Sequence, residues 1–99
     1  MSLNRDRGKR TEREIAKRFG GKRVGTMGGE DVFTKDFSVE CKSRVAFVGE
    51  KWMAQAERNC PKGRTPLTVV HLQNKPHGKD IVMIRLADWE AWMGGGNKP

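Results

Sequence analysis

Residues 30–44 read Glu30-Asp31-Val32-Phe33-Thr34-Lys35-Asp36-Phe37-Ser38-Val39-Glu40-Cys41-Lys42-Ser43-Arg44. How this stretch pairs with itself decides the fold around it. Two runs, 31–34 and 37–43, flank Lys35-Asp36 and predict a hairpin. With Lys35-Asp36 as a two-residue turn, Thr34 faces Phe37, Phe33 faces Ser38, Val32 faces Val39 and Asp31 faces Glu40. Strand alternation then sets Asp31, Glu40 and Lys42 on one face. Val32, Val39 and Cys41 point to the other, which suits a core. Lys-Asp is not a favoured two-residue hairpin loop. A longer loop would shift the register yet keep Glu40 and Lys42 on a shared face.

Outward from the hairpin, the chain punctuates itself. A helix is expected over residues 9–19, ended by Gly20-Gly21, with residues 1–8 frayed or loop-like. A short strand is expected at 22–25, then a loop carrying Gly28-Gly29. A second helix is expected over 50–60, stopped by Pro61. Strands follow at 67–72 and 80–86 around a turn with Pro76 and Gly78. Asp88 is expected to cap a last helix through Met93, and 94–99 is read as a flexible tail, like 1–6. The order αβββαββα predicts an α/β domain with a central mixed sheet flanked by helices. No repeat or second domain is evident, so residues 1–99 read as one domain.

Opposed Asp31 and Glu40 would have Cβ atoms ~4.5–5.5 Å apart and would repel if bare. A divalent cation between them removes the conflict, and hard oxygen ligands suit Mg²⁺, with Mn²⁺ as substitute. The Cys41 carbonyl, between the two functional side chains, is a further ligand candidate. On the first helix, Ile15, Ala16 and Phe19 define an apolar stripe, and Glu12 falls on it. A carboxylate facing a core is costly unless paired; Glu12 either completes an acidic pocket or sits at the stripe's edge, favouring the helix dipole. Such a set suits phosphodiester hydrolysis. A carboxylate-held metal activates water and polarises the phosphoryl group, and a lysine such as Lys42 stabilises developing charge. The plainer alternative for Glu40 and Lys42 is an exposed strand face with alternating charges.

The totals point to a polyanionic partner. Lys and Arg number 20 against 12 Asp and Glu, a net charge of +8. Arg7, Lys9, Arg10 and Arg13 cluster beside Glu12, and Arg44 follows Lys42, so these are the expected DNA-phosphate contacts. No apolar run approaches the ~18 residues of a membrane span. The basic start lacks the apolar stretch of a secretory signal, so a cytoplasmic protein is expected, with Cys41 and Cys60 as free thiols. Two Cys and two His at these separations make no zinc pattern. With 35% hydrophobic residues in 99, the core is modest, and a dimer that buries more apolar surface is expected.

Glu30-Asp31 followed by Val39-Glu40-Cys41-Lys42 resembles the PD-(D/E)XK nuclease superfamily. Within it, Arg7-Gly8-Lys9-Arg10-Thr11-Glu12-Arg13 and the run from Val39 to Arg44 are most similar to archaeal-type Holliday junction resolvases and their phage-encoded relatives. Gln55-Ala56-Glu57 fits a Gln-Ala-Glu found in some members. The resemblance covers about residues 7–86. It implies a restriction-endonuclease-like core, a homodimer, Mg²⁺ dependence and cutting of branched DNA. It also implies that Asp31 and Glu40 bind metal, that Lys42 is catalytic, and that Glu12 and Gln55 assist. Glu30 stands where the family has Pro and is a rival ligand. Two alternatives stay open: a less selective nuclease on duplex, flap or single-stranded DNA, and a non-catalytic basic DNA-binding module.

Overall fold

A computed structural model describes residues 3–24 and 30–93; the Gly28-Gly29 loop and the tail from Gly94 lie outside the described residues. In chain order the elements are α1 (Leu3–Phe19), β1 (Lys22–Arg23), β2 (Val32–Phe33), β3 (Ser38–Val39), α2 (Gly49–Asn59), β4 (Thr68–Val70), β5 (Ile81–Met83) and α3 (Leu86–Trp92). The α/β class and the αβββαββα order are as expected. The single mixed central sheet is not what the hydrogen bonds form. β1-β2-β3 make one antiparallel sheet and β4-β5 a second. The physical reason is locality: each pairing joins strands that are neighbours in the chain, and strands of two or three residues end before a wider sheet is built. The chain divides into two compact units, one running to Val45 and the other starting at Ala46.

In the first unit, α1 begins at Leu3, six residues before the expected start. No proline interrupts the segment, and Asp6 lies in the first turn where its charge favours the helix dipole. Gly8 is the poorest helix former there, and the helix continues through it. A Cβ at Gly8 would meet nothing within 4 Å. Gly8→Ala is therefore expected to raise stability by about 0.5–1 kcal/mol, measured by urea denaturation.

The other end of α1 stops where expected. Gly20 has φ 66°, the left-handed turn that glycine adopts without strain. Gly21 N–H donates to the Ala16 carbonyl at 2.8 Å and Gly20 N–H to the Lys17 carbonyl at 3.3 Å. These two bonds form a Schellman cap. They turn the chain into β1, and α1 packs on β1 and β2. Ala16, Val32 and Thr34 are buried between them, with Ile15 and Phe19 half-buried.

The hairpin has the expected register, with Val32 opposite Val39 and Phe33 opposite Ser38. Thr34 explains why Lys35-Asp36 serves as its turn. The Thr34 hydroxyl accepts from Phe37 N–H at 2.8 Å and Asp36 N–H at 3.3 Å. It also lies 3.2 Å from the Phe37 carbonyl, to which it can donate. A side-chain hydroxyl thus replaces the turn chemistry that Asn-Gly would have supplied.

In the second unit, α2 packs on β4 and buries Met53. Ala56 and Cys60 are half-buried, whereas Trp52 remains 40% exposed. β4 and β5 pair with Thr68 opposite Met83, Val69 opposite Val82 and Val70 opposite Ile81. A 3-10 turn, His77–Lys79, leads into β5. The N-cap of α3 is Arg85; Asp88, the expected cap, lies inside the first turn instead. There its carboxylate favours the dipole without capping. Arg85 grips α2 through both Glu50 oxygens at 2.8 Å and Glu57 Oε2 at 3.0 Å. Its hydrogen bonds hold the Glu50 carboxyl below the usual carboxylate range. The contact is complete above that range and fades as pH falls through the lowered value.

Candidate functional site

Glu12, Asp31 and Glu40, the carboxylates expected at the site, lie in the first unit, and the charges of all three act on Cys41. The β2–β3 ladder ends at Val32 and Val39, with Asp31 and Glu40 just beyond it. Asp31 N–H donates to the Val39 carbonyl at 2.8 Å. Its carboxylate turns to the partner segment, where Oδ2 accepts from Cys41 N–H at 2.7 Å. Among the described residues Oδ1 accepts no hydrogen bond. This clasp carries the hairpin past the last ladder pair and sets a carboxylate beside the Cys41 peptide.

Alternation continues after β3. Val39, Cys41 and Ser43 are half-buried, and Glu40, Lys42 and Arg44 are exposed. Glu40 and Lys42 share a face, with Lys42 Nζ 3.1 Å from Glu40 Oε2. The Cys41 thiol is pushed above its ordinary value, first by burial and then by the charges of Asp31, Glu12 and Glu40. Three carboxylates thus act on one sulfur.

Glu12 is half-buried on α1. It is paired: Arg23 Nε donates to Glu12 Oε1 at 2.8 Å, with side chains 26% and 21% exposed. β1 supplies that arginine, so the cost of a carboxylate at the core edge is offset locally. Glu12, Asp31 and Glu40 do not close into a three-ligand cluster. Among the described residues the His, Cys, Asp or Glu side chains that do so are His71, His77 and Asp80, in the second unit. The spacing of these three residues along the chain matches no zinc pattern, and the folded hairpin alone brings them together.

Basic groups border the acidic ones. Arg7, Gly8, Cys41, Lys42, Ser43, Arg44 and Val45 line a cleft of about 440 Å³. Arg44 is exposed, and its Nη1 donates to the Ser43 carbonyl at 3.0 Å. Arg10 and Arg13 lie on the exposed face of α1, and Lys9 is half-buried. Gln55 is in α2, exposed in a groove with Trp52, Ala56, Asn59 and β4 residues, and so belongs to the second unit. Cys41 and Cys60 are free thiols. No described helix is long and apolar enough to cross a membrane.

Comparison with protein-family models, curated proteins and solved structures finds no match to this chain.

Proposed function

We propose that this chain is a Mg²⁺-dependent structure-selective DNA endonuclease with a restriction-endonuclease-like core, acting as a homodimer on four-way junctions in the cytoplasm. The observation that carries the reading is the Asp31 carboxylate held on the Cys41 peptide, flanked by Glu40 and Lys42. Mg²⁺ is commonly held by one or two carboxylates and keeps several waters. Asp31 and Glu40, with the Cys41 carbonyl, are hard oxygen donors that fit this demand, and no third carboxylate is required. Bound there, the ion would supply an activated water and charge for the phosphoryl oxygens.

The chain's own residues account for the rest. The Lys42 ammonium, 3.1 Å from Glu40, provides positive charge where the phosphoryl group becomes more negative. Arg7 and Arg44 line the adjoining cleft, placed to neutralise phosphates and align the strand. Glu12, tied to Arg23, steadies the acidic side of the site. Arg10, Arg13 and Lys9 extend the positive surface along α1. Gln55 stays in the proposal as an assisting residue on the resemblance alone. The homodimer has apolar surface available: Val69 and Val82, opposite each other on β4 and β5, are 59% and 60% exposed.

The test is a panel of end-labelled four-way junction, linear duplex, flap and single-stranded DNA, incubated with and without Mg²⁺. Paired, symmetric nicks in the junction that require Mg²⁺ are expected. Equal cutting of linear duplex would favour the less selective nuclease. Salt-sensitive binding without any cleavage would make the chain a basic DNA-binding module, with Glu40–Lys42 and Glu12–Arg23 as ordinary ion pairs.

A further inference from the structure

The β4–β5 hairpin carries a second constellation, independent of the nuclease reading. The register pairs Val70 with Ile81, so the next step of the ladder sets His71 opposite Asp80. The 3-10 turn His77–Lys79 ends with Asp80 N–H donating to the His77 carbonyl at 2.9 Å. Side chains three residues apart eclipse in such a turn, which stacks His77 over Asp80. Strand pairing and a turn of helix thus deliver three side chains to one point from a sequence spacing, His-x5-His-x2-Asp, that matches no common metal motif.

We propose that His71, His77 and Asp80 bind a divalent transition metal of borderline softness, Zn²⁺ foremost. The two Asp80 oxygens already address different rings: Oδ1 is 2.6 Å from His71 Nδ1 and Oδ2 is 3.0 Å from His77 Nδ1. The ring centroids lie 4.3 Å apart, and the three ligand atoms are all within 4.8 Å of one another. Metal bonds of ~2.0–2.2 Å in a tetrahedron put ligand atoms about 3.3 Å apart. Small ring rotations therefore suffice. His77, with its side chain 84% exposed, has room for them, while Asp80, at 14%, forms the fixed base.

Two imidazole nitrogens and one carboxylate select Zn²⁺, Co²⁺, Ni²⁺ or Cu²⁺ over Mg²⁺, which prefers oxygen alone. Three protein ligands leave the fourth position to water. The site closes the turn between β4 and β5, so metal binding stabilises the hairpin wherever the unfolded chain holds the ion less well.

The experiment is calorimetric titration of the full chain with Zn²⁺, with Co²⁺ absorption and histidine ring NMR as site-specific readouts. With the Asp31–Glu40 carboxylate site removed by Glu40→Ala, one ion per chain is expected, with a raised Tm, shifted His71 and His77 ring resonances, and no displacement by excess Mg²⁺. His77→Ala, a change on an exposed side chain that leaves the fold intact, should weaken binding by more than the ~10–100-fold lost with an outer supporting partner. His71→Ala and Asp80→Asn should do the same, while Cys41→Ser and Cys60→Ser leave it unchanged. Absence of saturable binding overturns the proposal. So does binding that persists in His77→Ala, or that disappears with the cysteines.

Discussion

Lys42→Ala is expected to bind a labelled four-way junction within about threefold of the unsubstituted chain and to cleave it at least ~10²-fold more slowly in Mg²⁺. The separation of the two effects follows from where the side chain sits. Lys42 and Glu40 are 62% and 58% exposed, and an exposed pair of this kind contributes at most about 1 kcal/mol. Unfolding of the variant should therefore stay within ~0.5 kcal/mol of the parent. It is one of 20 lysines and arginines, so its loss changes the phosphate-neutralising charge only slightly. What it removes is positive charge beside the acidic pair. Glu40→Ala should share the phenotype. Asp31→Asn keeps an oxygen for the Cys41 N–H but loses the charge that draws a cation, so it should fold, bind DNA and lose metal-dependent cutting. If Lys42→Ala cleaves at the parental rate, the pair is an ordinary surface contact. If Asp31→Asn keeps full activity while Glu30→Gln loses it, the ligand is Glu30.

The largest stability effect is expected at Gly21. A Cβ there would run into the Phe33 carbonyl and come within 2.8 Å of Thr34 Cγ2. The carbonyl is main chain in the middle of a three-stranded sheet and has little room to retreat. Gly21 N–H also closes the α1 cap on Ala16, so the helix end and β2 would have to separate together. Overpacking of this type costs about 2–3 kcal/mol. For a chain near this length that lowers Tm by roughly 10 °C or more. Gly8→Ala, where the added methyl meets open space, is the internal control and should move the other way. An unchanged Tm for Gly21→Ala would mean that helix and hairpin do not approach so closely.

The features that were legible in the sequence are those set by nearest neighbours. Gly20-Gly21 announced the end of α1, Pro61 the end of α2, and the two runs flanking Lys35-Asp36 the pairing of Val32 with Val39 and Phe33 with Ser38. Glu12 was recognisable as a carboxylate on an apolar stripe. Its partner was not, because Arg23 reaches it only once the cap has folded β1 back along α1. Helix α1 starts earlier than composition suggests because no proline interrupts residues 3–8 and the Asp6 charge favours the helix dipole there. The division into two sheets was hidden because alternation shows which residues are strands and not which strands pair. His71, His77 and Asp80 were hidden for a related reason. Their proximity depends on a strand register and a 3-10 turn acting together, and each residue alone is unremarkable.

Cys41 sits at the point where the acidic groups meet, with its thiol pushed upward by burial and by Asp31, Glu12 and Glu40. At neutral pH that sulfur keeps its proton. A protonated sulfur is a poor nucleophile, a poor soft ligand and a slow target for peroxide. The residue between the two key side chains is therefore chemically quiet. It offers its peptide to the surroundings while its protonated side chain reacts slowly with electrophiles and peroxide.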